Sequence, residues 1–134
     1  LGLNIDFQDP VYGQEVLDNY AWADTCLVSL RPDWPSFNHT VPSKLYELLY
    51  LNQHVSGLVK GEAAEIIRDS DAGVVIEQNV SALSTYINKV VANPEILQTN
   101  RRGTEWVMKH GSLRQAGQEY AKLLAAVVDA HSKK

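Results

Sequence analysis

Lys44 and Glu47 are the residues best placed to do chemistry. They fall in the run Thr40-Val41-Pro42-Ser43-Lys44-Leu45-Tyr46-Glu47, which lies between two apolar segments. A helix opening at Pro42 and Ser43 presents free N–H groups and a partial positive charge, both of which favour phosphate. Ser43 adds a hydroxyl donor. Lys44 and Glu47, three residues apart, share one helical face, while Leu45, Leu48 and Leu49 take the other and dock on a sheet. The ammonium suits a phosphate and the carboxylate suits a ribose diol, so the pattern points to a nucleotide, one carrying a sugar. A Lys–Glu pair at this spacing is also ordinary surface decoration, worth roughly 0.3 kcal/mol. The buried strand ahead of it and the Pro-Ser-Lys opening favour the site.

Strands and helices in alternation must position these residues. Leu3, Ile5 and Phe7 alternate with polar residues, as a half-buried strand does. Asp9-Pro10 breaks it. Gly13 to Ala23 carries Val16, Leu17, Tyr20 and Ala21 at helical spacing. Thr25 to Leu30 reads as a buried parallel strand, and Arg31 to Thr40 as a loop. A helix from Pro42 to Leu51 is expected to end at Asn52 in the left-handed region. His54 to Val59 reads as a strand, and Gly61 to Asp69 as a helix with Ala63, Ile66 and Ile67 inward. Gly73 to Ile76 reads as a further strand. Asn79 then caps a helix with Val80, Leu83, Ile87, Val90 and Val91 on one side. Pro94 opens another helix, to about His110. Ser112 opens the last, with Leu113, Ala116, Tyr120, Leu123, Leu124 and Val127 inward.

This order predicts an α/β fold: a Rossmann-like parallel sheet with right-handed crossovers, helices on both faces and a helical C-terminus. Ligands of such sheets bind beyond the C-terminal strand ends. The loops after Leu30, Leu58 and Ile76 should therefore share the ligand edge.

With 134 residues, 45% apolar and 21% charged, the chain suits one globular domain with a real core. A net charge of −4 and the lack of basic clusters argue against nucleic-acid partners. Cys26 is the only cysteine, so no intrachain disulfide forms; an apolar setting predicts a buried, inert thiol. No stretch is long enough to span a bilayer and no signal sequence opens the chain. The chain begins directly in a strand-like alternation, as a piece of a longer protein would.

Four motifs in register carry a resemblance. Ala23-Asp24 before a strand ending Ser29-Leu30-Arg31-Pro32, the Pro42-Ser43-Lys44-Leu45-Tyr46-Glu47-Leu48-Leu49 helix, Gly61-Glu62-Ala63-Ala64-Glu65-Ile66-Ile67 followed by Ala72-Gly73-Val74-Val75, and Asn93-Pro94-Glu95 before a long terminal helix all resemble the GT-B-fold glycosyltransferases of family 4. The resemblance implies that residues 1–134 are a partial nucleotide-sugar donor-binding domain, the later part of the family's C-terminal domain. Its parent would be a retaining, metal-independent hexosyltransferase acting on a glycan or lipid-linked acceptor in polysaccharide biosynthesis, cytoplasmic or peripheral at the inner membrane face. The resemblance implies that Glu47 accepts from the ribose hydroxyls and that the backbone around Val41, Pro42, Ser43, Lys44 and Leu45 faces the diphosphate. No metal or other cofactor is implied beyond the nucleotide-sugar substrate.

Departures from the family pattern are specific. Where the family often places a first glutamate for the donor sugar, eight residues before Glu47, this chain has His39. Asn52-Gln53-His54-Val55 replaces a Gly-Lys-Pro-Val turn. As the resemblance implies, the first strands of the domain and the N-terminal acceptor domain should lie outside this sequence, so the fragment alone should be inactive. Unpaired strand edges would invite self-association or the missing half.

Other residues have competing readings. Arg31 can meet phosphate or pair with Asp33. Trp34 and Phe37 can stack on a ligand or pack on the domain. Lys60 and Glu62 read as surface charge with a lesser option of donor contact. The histidines and Cys26 have no zinc spacing. A non-catalytic, glycosyltransferase-like interaction module is the competing function.

Overall fold

The computed structural model describes residues 5–132. Three parallel strands, β1 (Cys26–Ser29), β2 (Val55–Leu58) and β3 (Gly73–Val75), form a sheet in the order β1-β2-β3. Cys26 pairs with Val55, and Val55 with Gly73. Around them lie α1 (Gln14–Trp22), α2 (Ser43–Tyr50), α3 (Gly61–Ser70), α4 (Val80–Ala92), α5 (Arg102–His110) and α6 (Leu113–Ser132).

Helices cover both faces, because successive strand residues point to opposite sides. A methyl on Gly57 would lie 2.5 Å from Ile67 of α3, while the neighbouring Ser56 meets Tyr86 of α4. The core gathers Val28, Leu45, Leu48, Leu49, Val55, Val59, Ala63, Ala64, Ile67 and Ala72. The Leu45, Leu48 and Leu49 stripe is the reason α2 docks with Ser43, Lys44 and Glu47 outward.

The end of α2 follows its sequence signal. Asn52 takes φ 60°, and the Gln53 N–H donates to Leu48 O at 2.9 Å, closing the last turn. Asn52 then receives α5's approach: the Thr99 hydroxyl donates to its side-chain oxygen at 2.8 Å.

Several expectations are corrected. Ile5 to Phe7 form no strand, and Phe7 is almost fully exposed; Leu3 lies outside the described residues. Alternation over so short a run cannot hold a strand without a pairing partner. The 31–40 loop contains a 3₁₀ turn at Pro35–His39, seeded by proline at its first position. Pro42 precedes α2 rather than opening it. The helix expected from Pro94 to His110 is split into a 3₁₀ turn, Pro94–Leu97, and α5, because Asn100 and Arg101 adopt positive φ. Val80 and Val91 of α4 are 85% and 75% exposed, so its apolar stripe is only partly used. The inward stripe expected on α6 is exposed along its length, from Leu113 at 91% to Leu124 at 49%, because no other described element packs along it.

Asn79 caps α4 as its sequence position predicts, with its side chain accepting from the Ala82 N–H at 2.8 Å. Asn79→Ala should cost about 1 kcal/mol, read as a lower urea midpoint with an unchanged m-value.

A polar knot closes the other end of the sheet. The Thr25 hydroxyl lies 2.8 Å from both His54 Nδ1 and Ser56 Oγ. Burial holds the His54 imidazole below its ordinary pKa, so the folded protein keeps it neutral. The unfolded chain, with an ordinary histidine, takes up the proton first. Stability contributed by neutral His54 is therefore full above the unfolded value and falls as pH drops through it towards the lowered folded value. Urea midpoints should fall between about pH 7 and about pH 5, and His54→Gln should flatten that part of the profile.

Candidate functional site

The N-terminus of α2 is open. Pro42 holds φ −62° and ψ 132° ahead of the first turn, with no side-chain cap. The Leu45 N–H donates to Pro42 O at 2.9 Å. The Ser43 and Lys44 N–H groups are then the ones left to point outward, as the first groups of a helix do. This revises the expected diphosphate contact: the Leu45 side chain is fully buried and its amide is already bonded, so Leu45 shapes the turn from beneath. Val41 and Pro42 are half-buried, whereas Ser43, Lys44 and Glu47 are exposed.

Lys44 and Glu47 lie within electrostatic reach of β1 and α1. Burial raises the Tyr20 hydroxyl above its usual pKa, and the Glu47 carboxylate and then Cys26 add to it. Burial likewise raises the Cys26 thiol, and the Lys44 ammonium partly offsets this. Tyr20, Cys26, Lys44 and Glu47 therefore form one patch. Among the described residues the ion pairs are Arg31–Asp33, His39–Glu62 and Arg102–Asp71; Lys44 and Glu47 belong to none of them. Cys26 is half-buried rather than sealed in the core.

The patch borders an open sheet edge. Cys26 and Leu30 donate their N–H groups to His54, just ahead of β2, and to Leu58 at its end. By the alternation of a parallel ladder, Leu27 and Ser29 turn theirs away. The Leu27 side chain is half exposed.

The other expected contacts go elsewhere. Arg31 donates to Asp33 at 3.1 and 2.6 Å and lies 5.0 Å over the Trp34 ring; the hydrogen bond from Arg31 holds the Asp33 carboxyl below its usual range. Trp34 stacks on Phe37 at 5.4 Å. His39 faces Glu62 of α3 at 3.3 Å. The 3₁₀ turn thus lies over the start of α3, where the backbone of Asn38 sits against Gly61. The structure groups Ser43, Lys44 and Glu47, and ties Arg31 and His39 to nearer carboxylates.

Sequence reasoning missed Gln78. Its amide donates to Leu30 O at 2.7 Å and to Leu58 O at 2.9 Å, stitching the tips of β1 and β2. The available signal was the loop after Ile76, placed at the ligand edge, with a long amide side chain next to the α4 cap. Two depressions share this residue: one of about 240 Å³ among Leu30, Leu58, Val80 and Leu83, and one of about 370 Å³ among Lys60, Gly61, Arg68 and Glu77.

Among the described residues no group of three or more His, Cys, Asp and Glu side chains could hold a metal ion, and no helix is long and apolar enough to cross a membrane. Comparison with known protein families, characterised proteins and solved structures finds no match to this chain.

Proposed function

We propose that the chain is the donor-binding part of a GT-B glycosyltransferase that moves a sugar from a nucleotide-diphosphate sugar to a glycan or lipid-linked acceptor. The observation that carries this reading is the pairing, on one exposed face of α2, of an uncapped helix start with Lys44 and Glu47, neither of them in an ion pair among the described residues. The free amides and the ammonium suit a diphosphate, and the carboxylate suits a ribose diol. The same amides and ammonium would stabilise the leaving diphosphate electrostatically. The open edge of β1 beside the patch suits the further strands and acceptor domain of a longer enzyme working at a cytoplasmic or membrane-facing site, and the same edge could instead pair with a second copy.

The occupied state of Arg31 and His39 favours a second reading, an interaction module that has kept the domain and lost the chemistry. Release of nucleoside diphosphate from UDP-, GDP- and ADP-hexoses by the full-length protein separates the two. The enzyme reading expects release with at least one donor and its loss in Glu47→Ala at an unchanged melting temperature. Equal release by the two proteins, or none from any donor, contradicts it.

A further inference from the structure

The apolar stripe of α6 has a repeat of its own. Leu113, Ala116, Tyr120, Leu123, Val127 and Ala130 recur at intervals of three, four, three, four and three residues. This is the narrow 3.5-residue seam of a helix that pairs with another helix, not the broader face of one that lies on a sheet. All of these residues are exposed, and no other described element packs along α6. The charged residues of the helix, Arg114, Glu119, Lys122 and Asp129, stand outside the seam.

One register of the seam against itself packs evenly. With two copies antiparallel, Leu113 meets Ala130 of the second copy, Ala116 meets Val127, and Tyr120 meets Leu123. The outer layers set a large side chain against a small one, as interdigitating helices require, and a two-fold axis repeats every contact. A parallel pair would face Ala116 with Ala116, leaving a gap, and Tyr120 with Tyr120, overfilling the next layer. Antiparallel pairing brings Arg114 level with Asp129 of the second copy, whereas parallel pairing sets like charges level. It also holds the two domains at opposite ends of a helix about 30 Å long. Where α6 begins, a groove of about 360 Å³ between Tyr46, Val107, His110 and Leu113 lies at the end of the seam and receives the last turns of the second copy's helix. Seam and groove together bury roughly 1,000 Å² in all, about what a specific dimer needs.

We propose that α6 is a dimerisation helix, through which two copies of this chain pair as an antiparallel coiled coil. The surface is separate from the open edge of β1, and the proposal does not rest on the nucleotide reading.

Sedimentation velocity and disulfide trapping of the full-length protein test it. A dimer is expected at ~100 µM that dissociates on dilution, as suits an interface at the small end of the range. Leu123→Glu puts a charge into both central layers and should weaken pairing by about a hundredfold or more. Gln118→Glu, on the opposite side of α6, should leave the dimer intact. So should Leu27→Lys, which blunts the β1 edge instead. In a Cys26→Ser background, Ala116→Cys/Val127→Cys should trap a covalent dimer on oxidation, and Ala116→Cys alone should not. The two positions are about 16 Å apart along one helix, so they cannot bridge within a copy. A monomer at every concentration, with the stripe then covered by another part of the chain, overturns the proposal. So does a dimer that survives Leu123→Glu or is lost in Leu27→Lys, or trapping through Ala116→Cys alone, which would mark a parallel pair. Leu123 is exposed in the single chain, so its replacement does not put folding at risk.

Discussion

Glu47→Ala, introduced into the full-length protein, should lower affinity for the nucleoside diphosphate of the proposed donor by about ten- to a hundredfold, with the melting temperature unchanged. The size follows from what is removed. A carboxylate accepting from two ribose hydroxyls contributes about 1.5–3 kcal/mol through charged hydrogen bonds, and each ~1.4 kcal/mol is a factor of about ten. Glu47 is exposed on α2 and holds no ion pair among the described residues, so its loss leaves nothing buried and unpaired. Calorimetry with the nucleotide and its 2′,3′-dideoxy form reads the effect directly. The wild type should prefer the ribose form, and the variant should bind both alike. A variant that keeps the preference would assign the diol to another group.

The second large effect is structural. Gly61 has φ +58°, and a Cβ there would collide with the backbone carbonyl of Asn38. Gly61→Ala therefore combines left-handed strain, about 1–3 kcal/mol, with displacement of the 3₁₀ turn from the start of α3. A total loss of about 3 kcal/mol or more is expected, roughly a 10 °C fall in melting temperature for a domain of this size. Gly13 supplies the control: its φ is +63°, yet nothing lies within 4 Å of the added methyl. Gly13→Ala should show the strain alone. The 31–42 segment should become more sensitive to protease in Gly61→Ala and not in Gly13→Ala. Equal destabilisation by the two would mean that the Asn38 contact contributes nothing.

Elements with strong local signals were legible in the sequence. Leu45, Leu48 and Leu49 fixed which face of α2 is buried, and so which face carries Lys44 and Glu47. Asn52 and Asn79 marked a helix end and a helix start through backbone and side-chain chemistry that acts within a few residues. The parallel sheet followed from alternation alone. What failed was whatever depends on distant partners. The apolar stripe of α6 was real, but a stripe shows what a helix can bury, not what stands opposite it. The break before α5 depends on positive φ at Asn100 and Arg101, which neither residue's position in the sequence announced. His39 and Arg31 were weighed as ligand contacts, yet Glu62 and Asp33 reach them first. Gln78 escaped notice because its role rests on two carbonyls 20 and 48 residues away, a relation that exists only after β1 and β2 pair.

Calorimetric titration of the full-length protein with UDP, GDP and ADP tests the central claim most directly. Saturable heat with at least one of them, diminished by Glu47→Ala and by reversal of charge in Lys44→Glu, is the predicted result. Absence of binding to all three, or binding that neither substitution weakens, would contradict a nucleotide seat at the start of α2.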